Sequence, residues 1–140
     1  MFIGIFIKHI FFIISLTGRE THGCGIAQTP AGPELVVTGG GFNITTTEIY
    51  NFASNTWRYG PSLPHHITGP ASVQFGDSFL VVGGENYIEI APQDWDAVIL
   101  DTIYQYDTKT EEFVLRDESM SVKAYAMGAV MVTEDVVNCY

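Results

Sequence analysis

Cysteine, basic side chains and helix-favouring runs are all scarce in this chain of 140 residues. Its two cysteines, Cys24 and Cys139, are too few for a disulfide framework and lack the close spacing of a zinc-ligand pair. They are expected as buried free thiols, and would pair only if the fold brought the two ends of the chain together. Six Lys and Arg stand against 16 Asp and Glu, a formal net charge of -10. A phosphate backbone requires a basic surface, so nucleic acid is not an expected partner. Long runs of Ala, Leu, Glu and Lys are missing, which removes the usual support for helices. There is no Ser-His-Asp arrangement, no nucleophile elbow and no metal triad with usable spacing. The chain is therefore read as non-enzymatic, with no catalytic residue, cofactor or metal ligand.

What is present points to one folded unit of the all-β class. Hydrophobic residues make up 46% of the chain and charged residues 16%, too apolar a balance for disorder. Nine Phe, seven Tyr and two Trp accompany recurrent Thr and Val, the residues that fill pleated, half-buried surfaces. The acidic excess lies entirely between Gly76 and Tyr140. Either it solvates one face or it attracts a basic partner.

Residues 1–16 stand apart. This apolar segment is interrupted by Lys8 and His9, and is too short for a confident membrane span. An apolar core from Ile10 to Leu16 with small residues at Ser15 and Thr17 resembles a secretory signal, but no basic region precedes Phe2. The alternatives are a start misplaced upstream of, or within, an intron, and a segment that belongs to the folded structure. Localisation, cytoplasmic or secreted, and any membrane attachment depend on which holds. The segment is set aside from the fold.

Two apolar runs end on glycine pairs. "ELVVTGG" closes on Gly39 and Gly40, and "FLVVGG" closes on Gly83 and Gly84, 44 residues later; the same offset sets Gly25 over Gly69. A phosphate-cradling loop would need a helix to follow, yet "FNITTTEIY" after Gly41 is rich in β-branched residues. Downstream, "YNFASNTW" from Tyr50 to Trp57 matches "YDTKTEEF" from Tyr106 to Phe113. A third partial copy, "MGAVMVTEDVV" from Met127, echoes "PASVQFGDSFLV" from Pro70. Periods of this length belong to propellers and solenoids.

With its double glycine, Tyr and Trp in this order, the chain resembles the kelch repeat. That resemblance implies antiparallel four-stranded blades of an incomplete kelch-type β-propeller. Its units would cover residues 17–64, 65–120 and the start of a third over 121–140. Gly39, Gly40, Gly83 and Gly84 would sit where strands crowd together. Tyr50, Trp57, Tyr106 and Phe113 would fill the space between blades, Phe113 standing where the pattern has Trp. Pro61 and Pro64 would end the outer strand, and "FASNT" from Phe52 would supply a hairpin turn.

Alternation of loops in an antiparallel blade places Asn43, the segment 62–68 and a long loop at 85–100 on one face. That loop is about 12 residues longer than its counterpart after Gly41. It carries Glu85, Tyr87, Glu89, Asp94, Trp95 and Asp96, aromatic area flanked by carboxylates, and is the expected partner-binding element. The alternative is that Trp95 caps a blade edge while the acids face water. His65 and His66 lack a third nitrogen ligand, and adjacent side chains in a turn diverge, so no zinc site is expected. His22 and Cys24 are read as packing. Asn43-Ile44-Thr45 is an N-glycosylation acceptor, relevant only on the secretory route.

The expected function is a protein-binding or scaffold module whose partner, of unknown identity, engages the face carrying 85–100. The alternatives are a secreted or cell-surface recognition domain with a glycan at Asn43, and a fragment of a propeller enzyme. Two and a half units leave both radial faces of the blade stack open. Further blades from a longer chain, or self-association, are expected to cover them.

Overall fold

A computed structural model describes residues 15–129 of the chain. Most of the apolar segment 1–16, the part of the third-unit echo from Val130 onward, and Cys139 lie outside the described residues. The described residues are all-β, with ten strands in three antiparallel sheets. The first sheet is a meander of β1 (Gly23–Thr29), β2 (Gly32–Thr38), β3 (Thr47–Asn51) and β4 (Thr56–Gly60). The second contains β5 (Ala71–Phe75), β6 (Ser78–Val82), β9 (Ile103–Asp107) and β10 (Glu112–Leu115). Between β6 and β9 the chain leaves to form a separate two-stranded sheet, β7 (Glu85–Ala91) and β8 (Asp94–Ile99).

The two four-stranded sheets use the same devices at the same places. Tyr50 pairs with Trp57 across β3 and β4, and Tyr106 with Phe113 across β9 and β10. Each hairpin is closed by an acidic or amide side chain. Asn51 Oδ1 accepts from the amides of Ala53 and Ser54, both at 2.9 Å, and Asp107 Oδ1 accepts from Lys109 at 2.7 Å and Thr110 at 3.2 Å. Asn55 and Glu111 then turn the backbone with φ of 57° and 56°.

The glycine pairs are where one unit clips onto the next. Gly40 N donates to Ile67 O at 2.9 Å, and Gly84 N donates to Ala124 O at 2.9 Å. A Cβ on Gly39 would lie 2.5 Å from Ile67 O, and one on Gly83 would lie 2.5 Å from Ala124 O. Gly69 N donates to Thr21 O at 2.9 Å, and Ala126 N donates to Gly69 O at 2.7 Å, so three successive entry segments form a hydrogen-bonded series. All three of these residues are left-handed, with φ of 50°, 62° and 49°. Residues 124–126 thus dock on the second sheet as 67–69 dock on the first.

One alignment read from the sequence is corrected. Gly25 is not the counterpart of Gly69: it lies inside β1 opposite Val36, whereas Gly69 precedes β5. Strands β1 and β2 have seven residues each where β5 and β6 have five, so the offset of 44 on the second strand becomes 48 on the first. The longer hairpin hides this shift from a fixed-offset comparison.

The sheets stack face to face around Ala27, Val36, Ile49, Ile67, Phe79, Val81, Tyr104 and Tyr106. Phe79 stacks on Tyr106 at 5.8 Å, and Phe113 meets Tyr106 edge-on at 5.3 Å. Burial chiefly, with the Glu111 charge, pushes the Tyr106 phenol up to about 12. At the rim Arg58 forks onto Glu111 at 2.8 and 2.7 Å and reaches Glu34 at 2.9 Å. This pair is solvent-exposed enough to contribute little.

Alternation sends Glu48, Tyr50 and Trp57 to the far face of the first sheet. There Glu48 is fully buried, accepting from Leu16 N at 2.7 Å, Thr17 N at 2.9 Å and Arg19 Nη2 at 2.7 Å. Arg19 Nη1 also donates to Gly39 O at 2.8 Å and Thr46 O at 3.0 Å. Ser15 and Leu16, set aside on sequence grounds, therefore belong to the folded part. The far face of the second sheet leaves Phe75 and Val114 exposed, with Arg116 lying 5.5 Å over the Phe75 ring.

Candidate functional site

The stretch 85–100, read from the sequence as a long loop, is a β-hairpin. Its sequence explains this: "ENYIEIA" and "DWDAVI" are rich in aromatic and β-branched residues and flank Pro92-Gln93, with Gln93 left-handed at φ 65°. Gly83 and Gly84, at φ +62° and +99°, turn the chain out of β6. Glu85 is then fixed to the preceding segment by two backbone bonds, Glu85 N to Thr68 O at 2.8 Å and Thr68 N to Glu85 O at 2.9 Å. The hairpin continues the fold and is anchored at its base.

Three connections meet beside it. Phe42, from the turn after Gly41, packs on Trp95 edge-on at 4.7 Å, on Tyr87 at 5.8 Å and on His66 at 5.7 Å. His66 stacks on Tyr87 at 6.1 Å and accepts the Tyr87 amide proton at Nε2, 2.9 Å away. That bond requires an unprotonated Nε2, and burial lowers the His66 pKa in the same direction. Phe42 and Trp95 remain 48% and 38% exposed, so the cluster is a surface rather than a core.

The register divides the candidate residues. Tyr87 pairs with Ala97 and Glu89 with Trp95, which puts Glu85, Tyr87, Glu89 and Trp95 on the side facing Phe42. Asp94 and Asp96 lie on the other side of the hairpin, with Ile88 opposite Asp96. Glu85 accepts from the Tyr87 hydroxyl at 2.8 Å, and that bond, with the Glu85 charge, raises the Tyr87 pKa. Glu89 accepts from Gln93 N at 3.1 Å and so helps to shape the turn. Two of the four carboxylates thus have local partners. No Lys or Arg occurs between Arg58 and Lys109 in the sequence, and Lys123 precedes Ala124, whose amide donates to Leu100 O at 3.2 Å at the base of the hairpin.

Asn43 is exposed beside Phe42 in a left-handed conformation, φ 62°. His65 and His66 diverge: His65 meets Tyr104 at 6.0 Å, inward, while His66 joins the aromatic surface. Among the described residues no three His, Cys, Asp or Glu side chains gather as a metal site. Cys24, expected buried, is instead exposed on β1, and His22 just before the strand is exposed as well; Gly23 and Gly25 face the second sheet, so strand alternation turns Cys24 the other way. The sequence reading missed Phe42 and the packing of His66 on it; the signal was that Phe42 shares a connection with Asn43 and so its end of the sheet. Of the repeat-motif residues, Tyr50, Trp57, Tyr106 and Phe113 lie in the four-stranded sheets, whereas Gly39, Gly40, Gly83 and Gly84 follow β2 and β6 and lead into the connections that carry Phe42 and the hairpin. No protein-family model matches the chain, and no curated protein matches its sequence.

Proposed function

We propose that the chain is part of a kelch-type β-propeller that serves as a non-enzymatic protein-binding or scaffold module. Its partner engages the face built by Phe42, His66 and the β7–β8 hairpin. The observation that carries this reading is the convergence of four aromatic rings from three separate connections, of which Phe42 and Trp95 are exposed. Aromatic side chains held rigid by mutual packing offer contact area at low entropic cost, and they dominate measured interface energies. The kelch reading draws further support from the repeated glycine-pair clips and the repeated Tyr50–Trp57 and Tyr106–Phe113 pairs.

The test is a double replacement, Phe42→Ala with Trp95→Ala, on the full chain. Both side chains are partly exposed, so the circular dichroism of the sheets should be unchanged. Chemical cross-linking in cells followed by purification should recover the partner at least about tenfold less efficiently than with the parent chain, the loss typical of removing interface hot spots. An identical set of cross-linked proteins at equal yield would remove the claim.

A further inference from the structure

We infer that the free edge of β8 accepts a basic peptide, in extended conformation, as a third strand of the β7–β8 sheet. The inference rests on the protein-binding reading and specifies the partner's chemistry and mode of attachment. Both backbone groups of Glu85 bond to Thr68, and the amide of Tyr87 bonds to His66, so these β7 residues direct their polar groups away from β8. Paired residues in an antiparallel ladder share this orientation. Ile99 and Ala97, in register with Glu85 and Tyr87, and Trp95, in register with Glu89, therefore direct their N–H and C=O groups away from β7. Among the described residues no backbone group bonds to them. The β7 edge is closed by Thr68 and His66 at its base, whereas the β8 edge is open and exposed from Asp94 to Ala97. An open row of strand donors and acceptors is a template for another strand.

Charge decides what that strand is. Asp94 and Asp96 alternate along the edge strand itself, and side chains of an added strand would stand about 5 Å from them. A second copy of β8 would bring carboxylates against carboxylates, which disfavours self-pairing through this edge. Lys or Arg at alternate positions of an incoming peptide would instead meet Asp94 and Asp96. Apolar side chains between them would lie over the exposed Ala97 and Trp95 surface.

The experiment is calorimetric titration of the full chain with a synthetic peptide of about ten residues alternating Lys with Val or Thr, long enough to match a typical strand. Two further versions carry N-methyl groups on alternate amides, in one phase or the other. Binding is expected for the parent peptide, weakening as salt screens the exposed charges. One methylation phase should lose affinity by at least about tenfold, as befits several blocked hydrogen bonds, while the other phase retains it. Ala97→Pro, which removes an outward N–H without touching the β7–β8 ladder, should reproduce the loss. The methylated peptides decide the question even if that variant misfolds. Equal binding of both methylated peptides, lost with Phe42→Ala and Trp95→Ala, would overturn strand addition while leaving side-chain capture on this face intact. Absence of binding by the Lys peptide, or equal binding of a Glu counterpart, would overturn the inference as well.

Discussion

Replacing Gly25 with Ala is expected to destabilise the stacked sheets by about 3 kcal/mol, the upper part of the range for forcing extra volume into a packed interior. A Cβ at this position would lie 2.1 Å from Phe79 Cγ and 2.4 Å from its Cβ, far inside contact distance. The neighbouring ring cannot swing clear. Phe79 is fully buried, stacked on Tyr106 and edge-on to Phe113 at 6.3 Å. Backbone separation between β1 and β6 would have to grow instead, opening the core shared by the two sheets. Urea unfolding of the full chain, followed by tryptophan emission, measures the effect. Phe79→Leu in the same chain should recover part of the loss, giving a coupling of about 1 kcal/mol or more between two sites in contact. A change below about 0.5 kcal/mol on Gly25→Ala, the size of an ordinary surface substitution, would mean the sheets do not pack in this way.

Glu48→Ala is expected to cost a further large amount, about 3–5 kcal/mol, because it leaves a buried guanidinium without its counter-charge. The Arg19 side chain is 1% exposed and Glu48 fully buried. The same replacement strips acceptors from the amides of Leu16 and Thr17. Arg19→Met combined with Glu48→Leu should recover much of the loss, since it removes both charges rather than one. Acidity offers an independent handle. Burial pushes the Glu48 carboxyl up from its ordinary value of 4.5, but hydrogen bonds from Thr17, Arg19 and Leu16 outweigh it and the net shift is downward. A carboxyl depressed in the folded state contributes stability that is present above its unfolded value and lost as the pH falls through its folded value. The stability gap between the parent and Glu48→Gln should therefore be widest near neutrality and shrink as the pH falls below about 4.5. A gap that does not change with pH would show that Glu48 is not held as a carboxylate.

Much of the architecture was legible because its devices are local. The runs ending in Gly39-Gly40 and Gly83-Gly84, and the seven-residue interval from Tyr50 to Trp57 and from Tyr106 to Phe113, are properties of single strands and hairpins. Those features correctly indicated an all-β chain with four-stranded antiparallel sheets. The Arg19–Glu48 pair was not legible, because nothing local distinguishes an arginine that will reach a strand 29 positions away. Residues 85–100 read as a loop by position, because they interrupt the repeat, although their own composition favours strands. The candidate surface was half visible: Tyr87 and Trp95 stood out by type, but Phe42 and His66 join them only through tertiary packing. Asp94 and Asp96 were grouped with Trp95 by sequence proximity, yet strand alternation sends them to the opposite side of the hairpin.

In the proposed propeller the two four-stranded sheets would be successive units of a larger stack, and their outer faces would be covered by neighbouring units. Phe75 and Val114 are exposed on one such face, and Trp57 is half-buried on the other. Sedimentation velocity on the purified 140-residue chain, combined with its melting profile, tests this most directly. Species heavier than the monomer, unfolding cooperatively, are expected. A monodisperse monomer with a single cooperative transition would contradict this reading.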